Sequence, residues 1–148
     1  MSEGGEKARL IAWSQELLRV HARLREALQI SRAAGVEDLL LYCHGFCAAL
    51  DRHHRGEDRT LFPAIARAHP ELRGTLEKLQ QDHSMIAYLL SGLQAAVDRK
   101  AGPEELQRHI EGVGAIMENH FRFEEKALLA VLEGLGLQAR PEDALGPL

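Results

Sequence analysis

Four stretches of this chain repeat apolar residues at intervals of three and four, and each stripe carries a histidine among its leucines. That pattern constrains the fold more than any other feature, because a period near 3.6 belongs to the amphipathic helix. Leu10, Trp13, Leu17, Val20, Leu24 and Leu28 predict a first helix from about residue 6 to residue 34, with Gly35 at the capping position. Leu39, Tyr42, Phe46, Leu50, His53, Glu57 and Leu61 predict a second to about residue 68, with a kink or break near Phe62 imposed by Pro63. Pro70 opens a third, whose inward stripe is Leu72, Leu76, Leu79, His83, Ile86, Leu90 and Leu93, to about Lys100. After the turn Ala101-Gly102-Pro103, a fourth runs from about Pro103 to Glu133 on Leu106, Ile110, Val113, Met117, His120, Glu124, Leu128 and Val131. Gly112 and Gly114 leave room for a neighbouring helix to approach.

Four long helices with short connections predict an all-α fold, an antiparallel up-down-up-down four-helix bundle over residues 1–134. Residues 1–5 are expected to be disordered, and residues 135–148 to form a loose C-terminal tail.

The 148 residues suffice for one domain with a sizeable core. A net charge of −4 argues against nucleic acid as a partner. No apolar run approaches the roughly 20 residues needed to span a bilayer, and the polar N-terminus lacks a signal-peptide core. A cytoplasmic protein, monomeric or weakly self-associating and with no membrane partner, is the expectation. Cys43 and Cys47 make no disulfide framework and read as buried small hydrophobes.

The histidines carry the chemistry. His53 precedes Glu57 by four residues and His120 precedes Glu124 by four, which puts each pair on one helix face about 6 Å apart along the axis. One histidine on an apolar face is ordinarily a hydrogen-bonded core residue. Histidines His21, His53, His83 and His120 with two glutamates in one small core are costly to bury without compensation, and a metal supplies it. Imidazole with carboxylate suits iron, manganese or zinc, and carboxylates can bridge two metals. The Glu-x-x-His spacing of ferritin-like bundles and the His-Glu-x-x-His of zinc proteases are both absent. A metal-free helical interaction domain is the bland alternative.

The order His21, His53-x-x-x-Glu57, His83, His120-x-x-x-Glu124 resembles that of hemerythrin-like (HHE cation-binding) proteins. The strings His53-His-Arg-Gly-Glu-Asp-Arg-Thr-Leu-Phe-Pro63 and His120-Phe-Arg-Phe-Glu-Glu125 are similar to that family's second- and fourth-helix motifs, and the likeness spans about residues 10 to 132. The resemblance implies two iron ions in a non-haem, carboxylate-bridged centre, with His21, His53, His83 and His120 as terminal ligands and Glu57 and Glu124 as bridges. Where the oxygen carriers have His-x-x-x-His on the third helix, His83 is followed by Ala87. Where they have His-x-x-x-x-Asp on the fourth, Glu124 and Glu125 follow His120. A set poorer in nitrogen and more open is therefore expected. It fits reaction with peroxide, O2 or nitric oxide in a bacterial stress response better than simple oxygen carriage. Catalase-like, peroxidase-like or nitric-oxide-reducing activity is one form of this. A non-catalytic module that binds, stores or senses oxygen or iron is the alternative.

His54 and Asp58 form a rival pair one residue along, rotated by about 100°. The stripe through Phe46 and Leu50 favours His53 with Glu57. Asp58 or Asp82 is suited to orienting a ligand imidazole. Glu125 reads as a surface or salt-bridge residue, and Tyr42 as core or as lining a route in.

Overall fold

The computed structural model describes residues 11–33 and 36–147, with side chains for all of these except 36–41. The expectations at residues 1–5, Leu10 and Gly35 lie outside the described residues, as does the side chain of Leu39. The chain is all-helical: α1 (Trp13–Ala33), α2 (Val36–Gly56), a π turn (Glu57–Leu61), α3 (Phe62–Ala68), a 3-10 turn (Pro70–Leu72), α4 (Arg73–Asp98), α5 (Pro103–Glu133) and α6 (Pro141–Leu145). The four long helices close into a ring in which α1 packs on α2 and α5, and α4 packs on α2 and α5. No helix among the described residues is long and apolar enough to cross a membrane.

The ring is held by the leucine stripes. Leu17, Leu24, Leu50, Leu79 and Leu128 are fully buried, with Trp13, Ile86, Met117 and Phe121 among them. Each such side chain contributes about 1.5–3 kcal/mol of apolar burial. Helix α5 begins as its sequence dictates, with Gly102 extended, Pro103 in the first turn, and Glu104 and Glu105 facing the positive end of the helix dipole. Of the two glycines midway along α5, Gly114 is the one that matters. A Cβ there would stand 3.1 Å from Leu28 Cδ2 on α1, whereas nothing lies near Gly112.

Pro63 acts differently from a simple break. Its ring would strike the carbonyl four residues back in a regular helix. The chain instead widens into the π turn, where the Phe62 N–H donates to the Glu57 carbonyl five residues back, and helix resumes as α3 with Pro63 in its first turn. The true break comes at His69, before Pro70.

Two expectations differ from the structure. Tyr42 is 41% exposed, while Cys43, Phe46, Cys47 and Leu50 are buried. The inward face at that end of α2 has drifted by one residue toward the cysteines, as a 3.6-residue helix does against a 3.5-residue repeat. Burial pushes both thiols up, Cys47 to about 12, so they are inert packing groups. The segment after Gly134 is packed rather than loose. Leu135, Leu137 and Ala139 lean on the core, the Trp13 indole N–H donates to the Leu137 carbonyl at 3.2 Å, and Ala144 and Leu145 of α6 are fully buried against α2 and the π turn.

Candidate metal centre

Five imidazoles and two carboxylates meet in the middle of the ring. His21 comes from α1, His53 and His54 from α2, Glu57 from the π turn, His83 from α4, and His120 and Glu124 from α5. All seven are at most 5% exposed. They form two groups, His21–His53–Glu57–Glu124 and His54–Glu57–His83–His120, within each of which the candidate donor atoms lie within 4.8 Å of one another. Glu57 belongs to both. Its Oε1 lies 3.4 Å from His53 Nε2 and 3.3 Å from His83 Nε2. Glu124 reaches likewise, with Oε1 3.2 Å from His21 Nε2 and Oε2 3.7 Å from His120 Nε2.

These atoms are close, yet none makes an aligned hydrogen bond. Nine buried side-chain atoms among the described residues lack a hydrogen-bond partner: Nε2 of the five histidines and both oxygens of Glu57 and Glu124. Buried polar atoms are nearly always satisfied, so nine orphans in one place point to a cation-binding site. The donor set of neutral nitrogens and carboxylates fits a divalent metal pair.

The opposite edges of the rings are anchored. His21 Nδ1 lies 2.7 Å from Glu125, His83 Nδ1 2.8 Å from Asp58, and His120 Nδ1 3.3 Å from Asp82. His53 Nδ1 lies 2.8 Å from the carbonyl oxygen of Leu145. An acceptor at Nδ1 fixes that nitrogen as the proton carrier and turns the Nε2 lone pair inward. Glu125, expected as a surface or salt-bridge residue, is a salt-bridge residue, paired with His21 and Arg25. Arg25 holds it in turn, donating to Glu125 at 3.1 Å and to Glu118 at 2.8 Å. Phe121 stacks on His21 at 3.9 Å between centroids.

Electrostatics agree with a site built for a cation. Burial pulls His53 down to about 3, and neighbouring His21 adds to the drop. Burial lowers His54 well below its ordinary value, with His83 contributing, and lowers His120 as well. At His21 burial also acts downward, but Glu124 and Glu125 outweigh it and raise the imidazole. Burial and the charge of Glu124 push Glu57 well above the carboxylate range. Burial works the same way on Glu124, yet contacts from Glu57 and His21 hold it well below that range. Two carboxylates this close do not both ionise without a counter-charge.

The model of the hemerythrin HHE cation-binding domain matches residues 14–132. The chain belongs to that family. Searches of curated proteins and of solved structures gave no match. Every histidine and glutamate of the two groups lies inside the matched range of this hemerythrin domain, and α6 lies outside it.

The structure brings together His21, His53, Glu57, His83, His120 and Glu124, the six residues singled out from the sequence, and adds His54. His53 and His54 are not rivals. They diverge by about 100° around α2 and address different groups, His53 toward His21 and His54 toward His83. The expected shortage of nitrogen is revised accordingly. His54 shares with Ser84 and Ala87 a cleft of about 160 Å³ between α2 and α4, so α2 brings an imidazole to ground that Ala87 leaves open. A second cleft of about 280 Å³, between α4 and α5, is lined by Lys78, Asp82, Met85, Asn119, Phe123 and His120. Both clefts adjoin the His54–His83–His120 group.

Proposed function

We propose that this hemerythrin-family chain holds two iron ions in its two groups and reacts there with a small oxidant. The reading takes the four long helices as an antiparallel up-down-up-down bundle and the protein as a cytoplasmic monomer or weak homo-oligomer. His21 and His53 would hold one ion and His54, His83 and His120 the other, with Glu57 and Glu124 as the carboxylates shared between them. Bound there, an iron pair supplies electrons and open coordination positions for peroxide, O2 or nitric oxide. The chain's own residues do the rest. Asp58, Asp82 and Glu125 keep the Nδ1 protons in place and the rings aimed. Phe121, Leu24 and Leu50 exclude water from the buried side. The clefts beside His120 and beside His54 and His83 give a molecule of a few atoms a short approach to the second group. Defence against oxidative or nitrosative stress is the role that follows from this chemistry.

The observation that carries the reading is the convergence of nine orphaned donor atoms from five histidines and two glutamates. The test is to load metal-free protein with ferrous iron under anaerobic conditions, count the iron, and expose the protein to peroxide or nitric oxide. Two irons per chain and many turnovers are expected. Consumption that stops at one equivalent would assign the site to binding, storage or sensing. One tightly held zinc that iron cannot replace would overturn the reading.

A further inference from the structure

The C-terminal segment lies outside the matched domain, yet it reaches the outer edge of a histidine of the site. His21, His83 and His120 each present Nδ1 to a carboxylate side chain. His53 presents its Nδ1 to a backbone carbonyl, that of Leu145, 92 residues away in sequence. A backbone carbonyl is a good acceptor only if the backbone itself is held still, and the structure shows how this is done. Leu145 and Ala144 are fully buried. Two glycines let the two backbones touch. Gly146 has φ +88°, and a Cβ there would stand 2.9 Å from both N and Cα of His53. Gly56 lies one turn further along α2, and a Cβ there would stand 2.9 Å from the Ala144 carbonyl carbon and 3.0 Å from Leu145 N. The segment therefore grips α2 on both sides of the hydrogen bond. Neither glycine can be replaced without backbone moving, because the atoms it would strike are main chain.

We propose that the segment Pro141–Gly146 is a working part of the metal centre, in which the Leu145 carbonyl is the positioning group for His53. It holds the proton on Nδ1, aims Nε2 at Glu57 and Glu124, and so sets the metal affinity of the His21–His53 group. His83 and His120 of the other group take their orientation from Asp58 and Asp82 instead. The coupling runs both ways: metal in the His21–His53 group tightens the docking of the segment by the same factor that docking tightens metal. This inference rests on the two-metal reading of the site.

The test uses the full chain carrying Gly146→Ala, and separately Gly56→Ala, titrated in the metal-free state with cobalt(II). Absorption and metal content are followed, and circular dichroism monitors the fold. The unmodified chain should take up two equivalents. Gly146→Ala should keep one at full affinity and bind the other about 10–100-fold more weakly, the range for loss of an outer partner, and Gly56→Ala should weaken that same equivalent the more. In a His53→Ala background, Gly146→Ala should cause no further loss, since the group it acts through is gone. Equal weakening of both equivalents, or an undiminished effect in the His53→Ala background, would reduce the segment to general packing and overturn the proposal. Should either variant fail to fold, the unmodified chain loaded with zinc(II) decides. Its His53 Nδ1–H must be slow to exchange with solvent, and rapid exchange at that proton overturns the proposal. Failure of the unmodified chain to bind any metal would remove the two-metal reading itself, and the inference with it.

Discussion

The rings of His54 and His83 lie face to face, 3.8 Å between centroids and 11° from parallel. Two stacked imidazoles repel if both are charged, and burial holds His54 well below its ordinary value. With His54 neutral, its Nε2 stands beside that of His83 as a donor. Replacing His54 by alanine should therefore weaken one metal equivalent by more than the roughly 10–100-fold that loss of an outer partner costs. The other equivalent should be retained. Competitive titration against a chelator measures this, and unchanged binding of both equivalents would return His54 to the role of a packing residue.

Asp58 touches the ring of His83 from the side away from the centre, at 2.8 Å from Nδ1. Asp58→Asn removes the charge while nearly preserving shape. It should lower affinity at the His83 group by about 10–100-fold and leave the His21–His53 group unchanged. The same chelator competition resolves the two equivalents. Loss at both together would mean that Asp58 supports the fold rather than one ligand.

Glu57 and Glu124 set stability against function. Without metal, the fold keeps two carboxylates together with every oxygen unpartnered. Burial and Glu124 raise Glu57, so folding near neutral pH must either protonate it or bury its charge, and Glu57→Gln removes that cost at nearly constant volume. The metal-free variant should be more stable than the parent by about 1–3 kcal/mol, read as a higher melting temperature in the presence of chelator. With metal the order should reverse, because Glu57 serves both groups. An apo melting temperature that falls on substitution would show that the pair is not under strain.

Metal uptake should weaken as pH falls. His21 is raised by Glu124 and Glu125 despite burial, and Glu57 is raised by burial and by Glu124. Each holds a proton to higher pH than an ordinary group of its kind, and a metal must displace it. Lower pH fills these positions and competes with the ion, so affinity declines from the range of the raised His21 downward through the carboxylates. His53, pulled down to about 3, keeps only its Nδ1 proton near neutrality, has none on Nε2 for a metal to displace, and adds nothing. Calorimetry in buffers of differing ionisation enthalpy counts the protons released. Binding that releases none would mean that His21 and Glu57 carry no proton for the metal to displace.

Much of the helical framework was legible in advance. The bounds of α5 coincide with those read from its capping residues and stripe, and the phase of His53, Glu57, His120 and Glu124 was correct as to which face they occupy. The role of His54 was not legible, because a helical wheel offers adjacent residues as alternatives. It says nothing about an interior wide enough to use both. Glu125 was legible as a salt-bridge residue but its partner was not, since His21 sits on another helix. The packed C-terminus gave no periodic signal at all. Leu135, Leu137 and Leu145 are too few and too interrupted by glycine to count as a stripe, and the contact that matters is made by a main-chain oxygen.

The hydrogen bond from Trp13 to Leu137 gives the molecule an optical handle. Trp13 is the chain's one tryptophan, so its emission reports a single place, the point where the C-terminal segment first meets α1. While that segment is seated the indole is buried and emits as in an apolar medium. When it lifts, the same indole meets water and its emission moves to the red. Whether the end of the chain is down or up can therefore be followed in real time, in unlabelled protein, during ordinary titrations.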